Sequence, residues 1–259
     1  MDYSIYTLLI LSIFILYLIS SSSFKNGMPT CNNFVINTYL YLAFSICFLG
    51  LSVHYIHKWL FGATTDYMKL SKSLMKYFFL LFLLSIGLII YIASSPTFDT
   101  TNRVFINHFL WLLFILIFGV ILIPRVKSNQ VGKFVDEAVY LTAMIFIVMS
   151  SLVYAFPVFF SKTFNFMYIS LLISLIVVII LELLNFFIVS EKMEFIANRR
   201  IISYIVIIIF SMYVSYDTQK VLQLSKICKN YPNYPKTSVS FFLDVINLFS
   251  RILFLSSNK

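Results

Sequence analysis

Apolar residues run along this chain in long unbroken stretches, unlike the short alternation of a half-buried strand or the one-faced stripe of a surface helix. A membrane-spanning helix needs about 20 such residues. Eight runs approach or meet that length, near residues 4–22, 34–56, 74–95, 104–124, 134–156, 165–189, 201–223 and 238–256. Each is uniformly apolar and too long for the roughly ten-residue alternation of a membrane barrel, so the pattern predicts an all-α integral membrane protein. The connections are short, which predicts one compact bundle without a soluble domain, repeat or low-complexity tail. The longest are the basic stretch with Lys58, Lys69, Lys72 and Lys76, and the Pro232/Pro235 connection before the last run, where missing amide donors end helices.

Composition agrees. Of 259 residues, 61% are hydrophobic and 11% charged, against roughly 25% charged in a soluble domain. An ordinary soluble enzyme is excluded. The net charge of +9 comes from Lys and Arg placed in short connections, where anionic lipid head groups are the natural partner, so the bilayer and not nucleic acid is expected to meet it. Cys31, Cys47 and Cys228 form no CxxC pair and no metal-ligand spacing, so neither a disulfide framework nor a zinc site is indicated. The first run has two readings. The Ser20 to Ser23 stretch resembles a signal sequence, but Asp2 and the absence of Lys or Arg at its start favour a membrane helix.

If all eight runs span, the connections after the second, fourth and sixth carry four, three and three basic residues, and those after the first, third and fifth carry one each. That bias places the first group in the cytoplasm. The seventh connection breaks the pattern, with Lys220, Lys226, Lys229 and Lys236 on the other side.

Charge within a span is costly and marks a pathway or a paired site. Glu182, Asp217 and Asp244 stand out. With a seventh helix ending near Ile227 and an eighth starting near Thr237, Asp217 lies about 15 Å and Asp244 about 10 Å from the connection that joins them. Antiparallel neighbours would let the two acids face each other. Two carboxylates in low dielectric cannot both ionise cheaply, so the pair would titrate as a unit and sense pH. Asn247, Leu248 and Arg251 follow Asp244 at i+3, i+4 and i+7, a polar stripe suited to a water-filled path. The bland alternative solvates Asp217 at the interface beside Lys220 and satisfies Asp244 with Asn247 or a backbone donor. Glu182, with Asn185 one turn on, is equally a pathway group or a structural hydrogen bond between helices. His54, His57 and His108 suit head-group contacts better than a metal, and Trp59 and Trp111 suit interfaces and bundle packing.

Tyr216-Asp217-Thr218-Gln219 near the end of the seventh run, followed by Phe242-Leu243-Asp244-Val245-Ile246-Asn247-Leu248-Phe249 in the eighth, resembles the Bax inhibitor family, the transmembrane Bax-inhibitor-motif proteins. Thr142-Ala143-Met144-Ile145-Phe146 resembles that family's fourth helix, and Tyr39 to Cys47 its first. The resemblance implies a seven-helix bundle over residues 31–259, six helices around the last, with residues 1–30 as an additional hydrophobic segment. It implies that Asp217 and Asp244 form a two-aspartate pH sensor beside which calcium passes transiently. Glu182, Asn247 and Arg251 would support it, and Tyr216, Thr218, Gln219, Leu248 and Phe249 would complete the motif. The implied protein is a calcium leak channel of an intracellular membrane such as endoplasmic reticulum or Golgi. It suppresses cell death, needs no cofactor and has apoptosis-regulating or calcium-channel proteins as partners. Two features depart from the family: the additional first run, and a basic bias that favours the orientation opposite to that of animal members. Arg103, Lys76 and Arg251 are the candidates for a basic group that locks onto the aspartates.

Two intramembrane aspartates also describe presenilin-like proteases, but those use GxGD and Pro-Ala-Leu motifs that this chain lacks, so no enzyme is expected. A non-conducting protein that acts by binding partners is the stronger rival. A proton-coupled transporter is weaker, because no inverted repeat is visible.

Overall fold

A computed structural model of the chain describes residues 2–62, 67–99, 103–127, 132–188, 192–229 and 231–258. Among them are eight helices, each long and apolar enough to cross a membrane. They are α1 (Asp2–Ser23), α2 (Phe34–Phe61), α3 (Tyr67–Ser94), α4 (Val104–Val126), α5 (Val135–Ala155), α6 (Pro157–Ile188), α7 (Lys192–Ile227) and α8 (Tyr234–Ser257). The chain is an all-α membrane protein, as the hydropathy pattern predicts. Among the described residues strands occur only as two-residue antiparallel pairings in connections, β1 (Phe24–Lys25) with β2 (Met28–Pro29) and β3 (Phe98–Asp99) with β4 (Tyr231–Pro232). The β1–β2 turn holds Asn26 and Gly27 at φ 54° and 76°. An Asn-Gly pair adopts this doubly left-handed turn readily, and its twist matches that of paired strands.

Several helices outrun their hydropathy segments, because capping and proline chemistry, not apolarity, set their ends. Proline is pre-organised for the first position of a helix, so α6 begins at Pro157 and takes in Lys162, which the sequence reading put in a connection. At α8, Asn233 acts as N-cap: its Oδ1 accepts the Lys236 amide at 3.1 Å, the bond an N-cap makes to the third helical residue. The helix therefore starts three residues before Thr237, and Pro235 opens it instead of closing the one before. Position 189, assigned to the sixth run, and the side chains of Asp2 and Lys69 lie outside the described residues.

The chain divides into two units, Met1–Gly132 with Gln223–Phe242, and Lys133–Leu222 with Leu243–Lys259. In sequence the long α7 and α8 each contribute to both. Of the eight described helices α8 is the most enclosed, with 61% of its most apolar window buried.

In the first unit α1 packs on α2, α2 on α4 and α4 on α3. Lipid tails are as apolar as Leu, so helices associate there by close packing and hydrogen bonding instead of by escaping water. Both devices are present. A Cβ added at Gly119 of α4 would stand 2.9 Å from the Ser52 Cβ of α2, so glycine is what allows this approach. Tyr41 stacks on Tyr234 with ring centroids 5.2 Å apart, and Phe114 meets Phe242 edge-on at 5.8 Å. Trp111 is 3% exposed within this packing, whereas Trp59 is 83% exposed, the division between bundle and interface that the sequence suggests.

Hydrogen bonds gather at the connections. Asn37 Nδ2 donates to the Asn32 carbonyl at 2.8 Å and to Tyr234 Oη at 3.1 Å, while its Oδ1 accepts from Ser22 Oγ at 2.7 Å. Tyr234 Oη in turn donates to the Thr30 carbonyl at 2.5 Å. Asn233 Nδ2 donates to Ser95 Oγ and to the Pro96 carbonyl, and the Lys236 ammonium donates to the Ser95 carbonyl. A disulfide joins Cys31 to Cys228 across 197 residues, Cα–Cα 5.9 Å. This overturns the reading of the cysteines as unpaired. Local spacing carries no sign of the bond, because the fold alone brings the α1–α2 connection to the one between α7 and α8. Cys47 is free and buried.

Gly119→Ala is expected to destabilise the protein by about 1–3 kcal/mol, the usual cost of overpacking a filled interior. Ser52→Gly, which removes the opposing Cβ, should restore part of the loss. Thermal unfolding of the two single variants and the double variant in one detergent checks this; additive losses would contradict it.

Candidate functional site

The second unit holds the acids. Six consecutive residues of α7, Val214 to Gln219, are all buried. Successive helical residues point about 100° apart, so six in a row cover the whole circumference and α7 is enclosed on every side at this level. Each residue of the Tyr-Asp-Thr-Gln motif accordingly meets different surroundings. Tyr216 stacks on Phe164 of α6, centroids 4.6 Å apart and rings 12° from parallel. Thr218 Oγ1 donates to Ser150 Oγ of α5 at 3.2 Å, and the preceding Ser215 Oγ donates to the Met149 carbonyl at 3.1 Å. Asp217 is 5% exposed and interacts electrostatically with Asp244 of α8, itself 4% exposed.

The sequence reading put the two acids at similar depths; the longer α8 makes the depths equal. Asp217 stands ten residues before Ile227 and Asp244 ten residues after Tyr234, about 15 Å along each helix. Lys220 is the other charged group whose field reaches Asp244, and Tyr213 lies within the field of both acids. Asp244 Oδ2, Gln219 Oε1 and Asn185 Oδ1 are buried without a hydrogen-bond partner among the described residues. A buried acceptor left unmatched costs about 1–3 kcal/mol, so these oxygens call for a proton, a water or a cation. Oxygen is the donor that hard cations such as calcium take, but Asn185, bonded to Phe195, lies about 33 Å along α7 from Asp217 and belongs to a different level. No cluster of three or more His, Cys, Asp or Glu side chains suited to a metal occurs among the described residues.

The bland account of the acids is corrected at two points. Asp217 is enclosed, not solvated at an interface. Asn247 Nδ2 donates to the Leu243 carbonyl of its own helix at 2.8 Å and makes no hydrogen bond to Asp244. The polar stripe along α8 is also broken, because Arg251 pairs with Glu182 of α6, the two side chains 17% and 39% exposed. Glu182 thus has a counter-ion, and Arg251 is committed to it rather than to the aspartates. Asn185 donates to the Phe195 carbonyl of α7 at 3.3 Å. Leu248 is fully buried in a cluster with Tyr216, Val214 and Met167, and Phe249 is half-buried. Among residues of the first unit, His108 bonds Tyr41 Oη and the Val104 carbonyl, each at 2.7 Å.

A family model described as "Inhibitor of apoptosis-promoting Bax1" matches residues 31–259, most of the chain. The chain belongs to the Bax inhibitor family. Among curated proteins, a Vibrio cholerae protein named "Uncharacterized membrane protein" is 29% identical over 119 residues. That match takes in 46% of this chain and 47% of the relative, so the chain spans about half the length of the curated relative it matches. The Bax inhibitor match begins at Cys31, after α1 and the β1–β2 turn.

Sequence reasoning found Asp217, Asp244 and their motif, but not Ser150, Tyr213 or the partner of Arg251. Nothing local marks Ser150, whose role arises only where α5 meets Thr218. Glu182→Gln and Arg251→Gln should each lower the melting temperature, and the double variant should lose less than the sum. A coupling of at least about 1 kcal/mol is expected in that cycle, and strict additivity would contradict the ion pair.

Proposed function

We propose that this Bax inhibitor family protein is a pH-sensitive calcium leak channel gated by Asp217 and Asp244. The observation that carries the reading is a pair of buried, mutually interacting carboxylates, one of whose oxygens has no hydrogen-bond partner among the described residues. Like charges in a poorly solvated setting share protons, so a change of pH alters the charge of the pair as a unit. Repulsion between α7 and α8 then rises as protons leave, and a cation passing beside the two carboxylates compensates it. Calcium is the permeant ion in this reading, not a resident cofactor. No organic cofactor is needed, and no reaction is catalysed. Suppression of cell death would follow from lowering a store of calcium, with the endoplasmic reticulum or Golgi as the membrane in a eukaryotic cell.

A second reading, a non-conducting protein that modulates death-regulating or calcium-channel proteins by contact, is favoured by the enclosed packing of Val214 to Gln219. Calcium entry into dye-loaded proteoliposomes between about pH 6 and 8 separates the two. One proton released on gating gives at most about a tenfold change in leak per pH unit. Asp217→Asn and Asp244→Asn should each flatten that dependence, and the double variant should add little to either. Wild-type flux no greater than that of empty liposomes at every pH would overturn the channel reading and leave the binding one.

A further inference from the structure

We infer that the face carrying Cys31 and Cys228 lies in an oxidising, extracytoplasmic compartment, that both chain termini lie in the cytoplasm, and that the disulfide is formed there by a disulfide-carrying oxidase.

The sides follow from the connections. The disulfide holds the α1–α2 connection and the α7–α8 connection on one side of the membrane. The β3–β4 pairing, with the bonds from Asn233 to Ser95 and Pro96, brings the α3–α4 connection to the same side. Two helices separate the first of these connections from the second, and four separate the second from the third. Even numbers of crossings return the chain to the side it left, so all eight helices span without contradiction. At the other end, the Glu182–Arg251 pair ties α6 to α8 six residues before each helix ends, at Ile188 and Ser257. Those two ends therefore share the opposite side.

Two independent rules then orient the bundle. Disulfides persist in oxidising compartments and not in cytosol, which puts Cys31 and Cys228 outside. Lys and Arg concentrate on the cytoplasmic side, and the connections on the opposite side, together with the helix ends that flank them, hold Lys58, Lys69, Lys72 and Lys76, then Arg125, Lys127 and Lys133, then Lys192, Arg199 and Arg200. Counted the same way, the disulfide side holds the smaller set of Lys25, Arg103, Lys162, Lys220, Lys226, Lys229 and Lys236. Of the lysines that spoiled the count at the last connection, Lys236 is spent on the Ser95 carbonyl.

Formation of the bond balances as thiol–disulfide exchange. The thiolate of one cysteine attacks the oxidase disulfide and displaces one of its sulfurs; the thiolate of the second attacks the mixed disulfide and releases the oxidase as a dithiol. Two electrons and two protons pass from the chain to the oxidase. Both cysteines are half-buried, open enough for that exchange.

The test uses the unaltered full chain in intact bacterial spheroplasts. Acid-quenched and denatured without reductant, it should take one maleimide mass tag, at Cys47, and three after full reduction. A membrane-impermeant phosphine added outside intact spheroplasts should raise the count from one to three before lysis. An epitope fused after Lys259 should resist external protease until the cells are lysed. Three tags without reductant, a count left at one by the impermeant phosphine, or loss of the epitope from intact spheroplasts would each overturn the inference.

Discussion

Inside a bilayer nothing outside the chain offers a hydrogen bond, so every polar group placed there must be met by the chain itself. That constraint accounts for most of what this molecule does with its few polar residues. Backbone groups are paired within eight helices, and serines and threonines such as Ser45, Thr142 and Ser211 bond the carbonyl one turn back. Asn37 serves three elements at once, Glu182 is met by Arg251, and Asn233 caps one helix while tying down another connection. Among the described residues the exceptions include Asp244 Oδ2 and Gln219 Oε1, together with Asn185 Oδ1 and Trp111 Nε1. Asp244 and Gln219 occur in the same unit as Asp217, in the motifs by which the chain resembles the family.

The motif of α7 also gains a physical meaning. Four consecutive residues on a helix cannot share one face. Tyr216 packs on α6, Thr218 bonds α5, and Asp217 acts on α8, so the tetrapeptide holds one carboxylate in place by engaging the neighbours around it. A residue that merely filled space would not need this combination of ring, hydroxyl and amide. In the proposed mechanism the ring and hydroxyl keep α7 still while the charge on the acids changes.

Much of this was legible in the sequence, for reasons that differ by element. Eight spans follow from run length alone, and the paired acids from the cost of burying them. The Asn26-Gly27 turn and the Asn233 cap carried readable local signals, yet long apolar runs drew attention away from the connections, and Pro235 looked like an end when it marks a beginning. The disulfide and the Glu182–Arg251 pair were not legible. Each joins residues distant in sequence, and only the folded arrangement of connections and helix ends brings them together.

The central claim is that Asp217 and Asp244 hold their protons jointly. The direct measurement is an infrared pH titration of the carboxylic acid C=O band in the reconstituted protein, compared with Asp217→Asn and Asp244→Asn. The account predicts two wild-type steps separated by more than about one pH unit, with a single step left in each variant at a position that neither wild-type step occupies. A wild-type curve equal to the sum of the two single-variant curves would mean that the acids titrate independently, and would contradict it.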